Sequence, residues 1–336
     1  MRNGRCPHCH THYAEPAQAS PRDGTPLGKV APAASDPTKT ARARAIEPAD
    51  PLYMSLTGQT LGGRYCIERQ LGEGGMSYVY LARDLETGGE VALKVLLARL
   101  AGDPGSVERL RREAAIAMRL DHPNVCPILD VGETSERLIY LVMPYLAGEP
   151  LTEHEIRQGP LPVAEGIPLL LQICRGLDHA HGLQILHRDL KPENVMLVPD
   201  RGAAGGVRAV LMDFGLAKVL REDPDLVKLT RTGIVLGTPE FMSPEQILGK
   251  PLDGRSDLYA LGVLAFEMFT GRLPFDGKSP MEIALARLKG EPLRLRALRP
   301  ELPAKLEAVI SRVLAQDPAD RFQCTEELGT AFASVT

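Results

Sequence analysis

Eight residues in the middle of the chain, "HRDLKPEN", gather His187, Arg188, Asp189, Lys191 and Asn194. Asp189 can accept a proton from an alcohol, and Asn194, five residues later, can bind a cation beside it. Further on, "LMDFG" closes a strand-like run with Asp213, a carboxylate suited to Mg²⁺ bridging phosphate oxygens. Upstream, "LGEGGMSYVY" sets Gly72, Gly74 and Gly75 where a tight turn brings backbone N–H groups close to phosphate oxygens. A dinucleotide fingerprint would need a helix after these glycines, but "SYVYLARD" alternates like a strand, so the loop reads as a hairpin lid. "VALK" then places Lys94 on the next strand, within reach of a phosphate under that lid. Glu113 lies on a following amphipathic helix, where its carboxylate can pair with Lys94 and aim the ammonium at the ligand.

The elements that must position these groups are legible in the pattern. "RYCIERQL", "SYVYLARD" and "EVALKVLL" alternate and are separated by Gly-containing turns, as consecutive antiparallel strands do. "SVERLRREAAIAMRL" predicts a helix capped by Ser106, with Val107, Leu110, Ala114, Ala117 and Met118 near one face. "CPILDVGE" and "RLIYLVMPY" read as two more strands, and after "LAGEP" the pattern is mainly helical through Val335. The fold class expected is α+β: a small β-rich lobe over about residues 60–143 and a larger helical lobe over about 148–335. Residues 14 to about 58 are rich in Ala, Pro, Ser and Thr without an apolar period, which is linker composition. The division expected is a metal-knuckle-like segment over 1–27, a linker over 28–58 and one domain over 60–335.

Composition narrows the function classes. A net charge of -4 and an isoelectric point near 6.1 argue against a nucleic-acid or anionic-membrane binder. Four of the six cysteines (Cys66, Cys126, Cys174 and Cys324) are scattered singly, which reads as a reduced thiol set in the cytoplasm. The start lacks the apolar stretch of a signal peptide, and "LYALGVLAFEMFTG" is too short and too broken by Glu267 to span a bilayer. It reads as a buried helix. A membrane anchor beyond Thr336 stays open as an alternative.

The ordered set "GEGGMS", "VALK", Glu113, "HRDLKPEN", "DFG" and "SPE" resembles the eukaryotic-type protein kinases. "GTPEFMSPEQ" and "DPADRF" are most similar to the bacterial serine/threonine branch of that family, and the resemblance covers about residues 60–335. It implies a bilobal kinase fold that moves the γ-phosphoryl group of ATP to Ser or Thr of protein substrates. By the resemblance, Asp189 would be the catalytic base, Lys191 would stabilise the transferring group, and Lys94 would contact the phosphates while paired with Glu113. Asn194 and Asp213 would hold Mg²⁺, and Phe214 would pack behind the site. The nucleotide would be lined by Leu71, Gly72, Glu73, Gly74, Gly75, Met76, Ser77, Tyr78, Val79, Ala92, Lys94, Met143, Pro144 and Leu146. Asp257 would brace the catalytic loop, and Arg321 would pair with Glu245.

Three departures bear on these expectations. Ser77 replaces a loop glycine, and "SPE" (Ser243, Pro244, Glu245) replaces Ala-Pro-Glu; both changes are small in volume. Pro144 follows the gatekeeper position Met143, where the family usually has an acidic residue. Adenine is met there by a backbone carbonyl, which proline keeps, and Leu146 supplies the N–H, so ATP binding is expected to be intact. Arg188 can bind a phosphate on the activation segment, where Thr230 and Thr232 stand at positions phosphorylated in related kinases. Thr238 lies in the substrate-facing loop. Autophosphorylation in trans, through a transient dimer, is the control expected. A pseudokinase or scaffold that binds nucleotide without phosphoryl transfer is the alternative, disfavoured because Lys94, Asp189, Asn194 and Asp213 are all present.

At the start of the chain, Cys6 and Cys9 have the spacing of half a zinc site. Ser20 stands where a related ribbon would carry a third cysteine, and two thiolates do not close a tetrahedron. The segment reads as a degenerate ribbon; Zn²⁺ binding would need His10 or His12 and Asp23 as further ligands.

Overall fold

The computed structural model describes residues 4–5, 12–13, 56–74, 77–96, 104–134, 138–214, 239–277 and 279–335. The chain divides into two compact units, Met1–Leu56 and Thr57–Thr336. In the first, strand β1 (Gly4–Arg5) pairs antiparallel with β2 (His12–Tyr13), Gly4 opposite Tyr13 and Arg5 opposite His12. Cys6, Cys9 and His10 lie outside the described residues.

The second unit opens with a six-stranded sheet in the order β3-β4-β5-β6-β8-β7. Its strands are β3 (Thr60–Leu61), β4 (Tyr65–Gly74), β5 (Ser77–Asp84), β6 (Glu90–Leu96), β7 (Asp130–Glu133) and β8 (Ile139–Pro144). Alternation and β-branched content set β4 to β6, as expected. In β6, Val91, Ala92, Leu93, Val95 and Leu96 are all buried, and Lys94 is the one charged interruption. A lysine on an interior strand flanked by buried apolar residues needs a polar cavity on its side of the sheet. The β7–β8 ladder depends on Gly132, because a Cβ there would lie 2.0 Å from Cζ of Tyr140.

Two boundaries differ from the sequence expectation. Helix α1 runs Pro104–Ala117, so Ser106 is its third residue and not its cap; Pro104 takes the first position, which needs no N–H. Ala114 and Ala117 are buried as expected, but Met118 falls just past the helix end, in a turn, and is 45% exposed. The side chains of Val107 and Leu110 lie outside the described residues. The run "CPILDVGE" is strand only from Asp130. Its first residue and the two before it are taken by the other lobe: Cys126 N donates to Leu211 O, Leu211 N donates to Asn124 O, and Val125 bridges Leu211 in parallel, whereas Leu129 N already donates to Val142 O of β8.

The larger lobe carries a three-stranded sheet, order β11-β10-β9, from β9 (Glu149–Pro150), β10 (Val195–Pro199) and β11 (Val207–Leu211). Around it are α2 (Leu151–Gln158), α3 (Val163–Gly182), α4 (Pro244–Ile247) and α5 (Gly254–Thr270). Then come α6 (Pro280–Lys289), α7 (Leu295–Leu298), α8 (Ala304–Val313) and α9 (Thr325–Ala333). Helix α5 is the run that read as a buried helix: every residue from Ser256 to Phe269 is buried. Asp253 caps its start by accepting from Arg255 N, and Gly271, at φ 68°, ends it in the left-handed region. Leu170, Ile173 and Leu177 of α3 share one core with Leu261, Leu264 and Phe269 of α5 and Leu328 and Phe332 of α9. The two-lobed α+β architecture is the one expected. Among the described residues, no helix is long and apolar enough to cross a membrane.

Candidate active site

The site is assembled by the loop between α3 and β10 and by the residues that follow β11. The loop is anchored from below by Asp257 of α5, whose carboxylate accepts from His187 N at 2.9 Å and Arg188 N at 2.8 Å. The same carboxylate is hydrogen-bonded to Nε2 of His181 at 2.8 Å. Three partners on one buried carboxylate fix the peptide just before Asp189. Arg188 itself is held at φ 62° and Asp213 at φ 56°, left-handed conformations that cost about 1–3 kcal/mol each and persist only where surroundings impose them.

The two halves are stitched together. The His187 ring is fully buried, contacts Met212 O through Nε2 at 2.9 Å, and lies against Phe214 with ring centroids 4.7 Å apart. Met212 N donates to Asn194 O at 2.8 Å. Burial lowers the His187 pKa and keeps the imidazole neutral at physiological pH. Asn194 Nδ2 donates to Asp189 O at 2.8 Å and contacts Asp189 Oδ2 at 3.3 Å, while Lys191 Nζ stands 3.1 Å from the same oxygen. Asp189, Lys191 and Asn194, separated by local sequence spacing alone, therefore converge on one carboxylate.

Lys94 reaches this cluster from the small lobe, where its Nζ lies 2.6 Å from Oδ2 of Asp213. The expected Lys94–Glu113 pair is not made. The left-handed Asp213 presents its carboxylate to the ammonium, and Glu113 sits half-buried on α1 with Lys94 already engaged elsewhere. On the small-lobe side, Gly72 pairs with Val79, Glu73 with Tyr78 and Gly74 with Ser77, so the glycine loop is a hairpin. Gly75 and Met76 lie outside the described residues. Ala92 is opposite Met143, and Val91 opposite Pro144. Met143 is buried with Cys126 and Val210, against Leu146, Met196 and Met212, and forms an apolar wall. Leu71, on β4 just before Gly72, is 37% exposed.

The carboxylate of Asp213 and the amide oxygen of Asn194 are hard oxygen donors suited to Mg²⁺. The Asn194 NH₂ is committed to Asp189, so its carbonyl oxygen is the atom that can face a cation. Among the described residues, no group of three or more His, Cys, Asp or Glu forms a self-contained metal cage. Mg²⁺ held by one or two protein oxygens and by phosphates needs none.

A functional contact that the motifs did not announce joins this cluster to the segment after Pro239. Gln246 accepts from Ser243 N through Oε1 at 2.9 Å and donates through Nε2 to Arg188 O at 2.9 Å. The spacing of Ser243 and Gln246 is a capping box and was readable as a helix start; its second bond, to the left-handed Arg188, was not. Beneath it, Arg321 Nη1 and Nη2 grip the Glu245 carboxylate at 2.8 and 2.9 Å, and Ser256 Oγ donates to it at 2.6 Å. Thr230, Thr232 and Thr238 lie outside the described residues.

A profile of the protein kinase domain matches residues 65–333. The chain belongs to the protein kinase family. Over 266 residues it is 41% identical to the serine/threonine-protein kinase pkn3 of Myxococcus xanthus, covering 79% of this chain and 48% of that one. It is 40% identical over 273 residues to PrkC of Bacillus subtilis, covering 81% and 40%. PknB of Mycobacterium tuberculosis is 38% identical over 275 residues, covering 81% and 43%. The kinase domain therefore spans less than half the length of these curated relatives. Among solved structures, the PknI kinase domain of M. tuberculosis aligns with a TM-score of 0.64 at 32% identity, covering 83% of this chain and 99% of that one.

The Asp257 brace has a pH signature. Burial alone pushes its carboxyl up, but the bond and charge of His181 and the hydrogen bond from the His187 backbone N–H outweigh this and hold it below the ordinary range. A carboxyl depressed in the folded state stabilises the fold above its unfolded pKa of about 4, and that stabilisation is lost as pH falls through the lower folded value. Asp257→Asn is expected to cost about 1–3 kcal/mol near neutrality. In thermal melts from pH 7 down to 3, the gap between wild type and variant should narrow; a constant gap would count against a charged brace.

Proposed function

We propose that this kinase domain transfers the γ-phosphoryl group of ATP to serine or threonine hydroxyls of protein substrates. The observation that carries the reading is the convergence of Lys191 and Asn194 on Asp189 beside the Lys94–Asp213 pair, at one junction of the two lobes. Asp189 would accept the substrate hydroxyl proton, and its two neighbours hold the carboxylate in place. Lys191 would neutralise charge on the group in flight. Asn194 and Asp213 would hold Mg²⁺, which offsets phosphate charge when bound. Lys94 would meet the phosphates below the hairpin of Leu71 to Val79, with Ala92, Met143, Pro144 and Leu146 around the base. In the described geometry Lys94 occupies Asp213, so engagement of Mg²⁺ at Asp213 would go with transfer of Lys94 to Glu113. The direct test is incubation with γ-labelled ATP, Mg²⁺ and a general protein substrate, followed by phosphoamino-acid analysis. Label on Ser or Thr supports the reading; ATP binding without label supports a scaffold.

The proposed division is a kinase domain over residues 60–335, a linker over 28–58 and an appended docking or regulatory segment over 1–27. Asn194 and Asp213 already account for the metal chemistry, so Cys6 and Cys9 have no part in it. A cytoplasmic location and a transient dimer for reaction in trans belong to the same proposal. Thr230 and Thr232 would be the phosphorylated positions, with Arg188 as the cation that would bind the phosphate. Changing both to alanine is expected to lower activity to that of dephosphorylated wild type. The comparison is made by peptide-phosphorylation rates, and equal rates for the variant and the phosphorylated wild type would sink the idea.

A further inference from the structure

Arg287, on α6, is among the least exposed side chains of the molecule, at 1%. Its Nη1 donates to Met242 O at 2.9 Å and its Nη2 to Glu240 O at 2.6 Å. The guanidinium carbon lies 5.3 Å from the ring centroid of Phe275 and 5.9 Å from that of Tyr259. Taking a guanidinium out of water is costly, and carbonyl oxygens with aromatic faces are the groups here that offset the cost. Burial pushes the Arg287 pKa down, with Tyr259 and Glu240 acting against it, but an arginine stays charged through the physiological range. The two accepting carbonyls are two residues apart in a segment with little regular structure of its own, a single 3-10 turn over Pro239–Phe241. Such a segment takes its conformation from what holds it. The planar fork of arginine has the geometry to fix two carbonyls at once, and a lysine does not.

The segment so held lies between two other fixed points. Immediately beyond it, Ser243 and Gln246 close the capping box of α4, and Gln246 carries the connection to Arg188 O. Residues 240–246 are thus clamped by α6 on one side and by the loop that carries Asp189 on the other.

We propose that Arg287 is a positioning residue for the protein substrate: by holding the carbonyls of Glu240 and Met242 it shapes the platform on which the polypeptide around the accepting hydroxyl is laid. This rests on the protein-kinase reading above. It assigns α6 a part in protein recognition that is separate from nucleotide binding. Arg287→Lys keeps the charge but can serve only one carbonyl well; Arg287→Met keeps much of the volume and loses both bonds.

The test is steady-state kinetics with myelin basic protein and ATP as the varied substrates, accompanied by thermal melts and ATP titrations of each variant. For Arg287→Met, KM for the protein is expected to rise about tenfold or more, since displacement of a positioning element by about 1 Å is felt strongly. Its affinity for ATP should move less than about twofold, an order-of-magnitude bound for an interaction not shared with the nucleotide. Arg287→Lys should lie between the variant and wild type. If Arg287→Met fails to fold, Arg287→Lys alone decides. A folded variant with wild-type KM for the protein overturns the proposal, as does one in which protein KM and ATP affinity worsen together. Wild type that binds ATP but labels no protein refutes the kinase reading itself, and this proposal falls with it.

Discussion

Asp189→Asn lowers the rate of phosphoryl transfer by at least about two orders of magnitude, the contribution expected of a general base in the transition state. The substitution is nearly isosteric, and both Lys191 at 3.1 Å and Asn194 at 3.3 Å address the same oxygen, Oδ2. An amide at this position removes the charge and the basicity and leaves the loop where it is. The backbone of the loop is held separately, by Asn194 at Asp189 O and by Asp257 at His187 N and Arg188 N. Thermal stability should therefore stay close to wild type while label transfer from γ-labelled ATP to a protein substrate is lost. A residual rate within tenfold of wild type would remove Asp189 from the role of base.

The largest effect on stability is expected from Arg321→Met. Arg321 is fully buried and makes five hydrogen bonds: two to Glu245, and one each to the carbonyls of Ala315, Arg255 and Gln316. Its guanidinium also lies 4.7 Å from the Tyr259 ring centroid. Burial raises the Glu245 carboxyl, but the bonds from Arg321 and Ser256 bring it below its ordinary range. Without Arg321 the carboxylate is left charged in a buried place, at a cost of about 3–5 kcal/mol. In a domain of this size that is a loss of roughly 10 °C in Tm. The sign with pH then reverses. In the variant the Glu245 carboxyl is raised, so protonation relieves it, and the deficit against wild type should shrink as pH falls from 7 toward 5. Adding Glu245→Gln to Arg321→Met should restore part of the loss, because the uncompensated charge goes with it. A double variant less stable than the single one would show that the pair is not the source of the deficit.

Both predictions draw on residues of different legibility. The Asp189 cluster was readable because its members lie within eight residues, and spacing that short leaves the chain few ways to separate them. The glycine loop could be read as a hairpin because strand alternation continues on both sides of it, and the ladder of Gly72 to Gly74 with Ser77 to Val79 has that form. Helix α5 was readable from an apolar run interrupted once, by Glu267. The Glu245–Arg321 pair was expected from the family resemblance, since 76 residues separate its members and no local pattern joins them.

Other contacts could not be read in this way. Lys94 has two carboxylates to choose between, and the left-handed backbone at Asp213 decided for that residue over Glu113. "CPILDVGE" has the alternation of a single strand, yet its first residue, Cys126, bonds to Leu211 of the other lobe, because the edge strand of the three-stranded sheet lies there. Gln246 declares its capping box but not its bond to Arg188, and Arg287 looks like one more exposed cation on an amphipathic helix.

Residue type and local spacing settled which chemistry the chain carries, which strands pair as hairpins and which helix is buried, because side-chain character and periodicity act over a few residues. Tertiary packing chose the ion partner of Lys94, the burial of Arg287 and the link from Gln246 to the catalytic loop. Those choices depend on which charges and carbonyls the folded lobes bring within about 3 Å of one another, the range in which a hydrogen bond is made or lost.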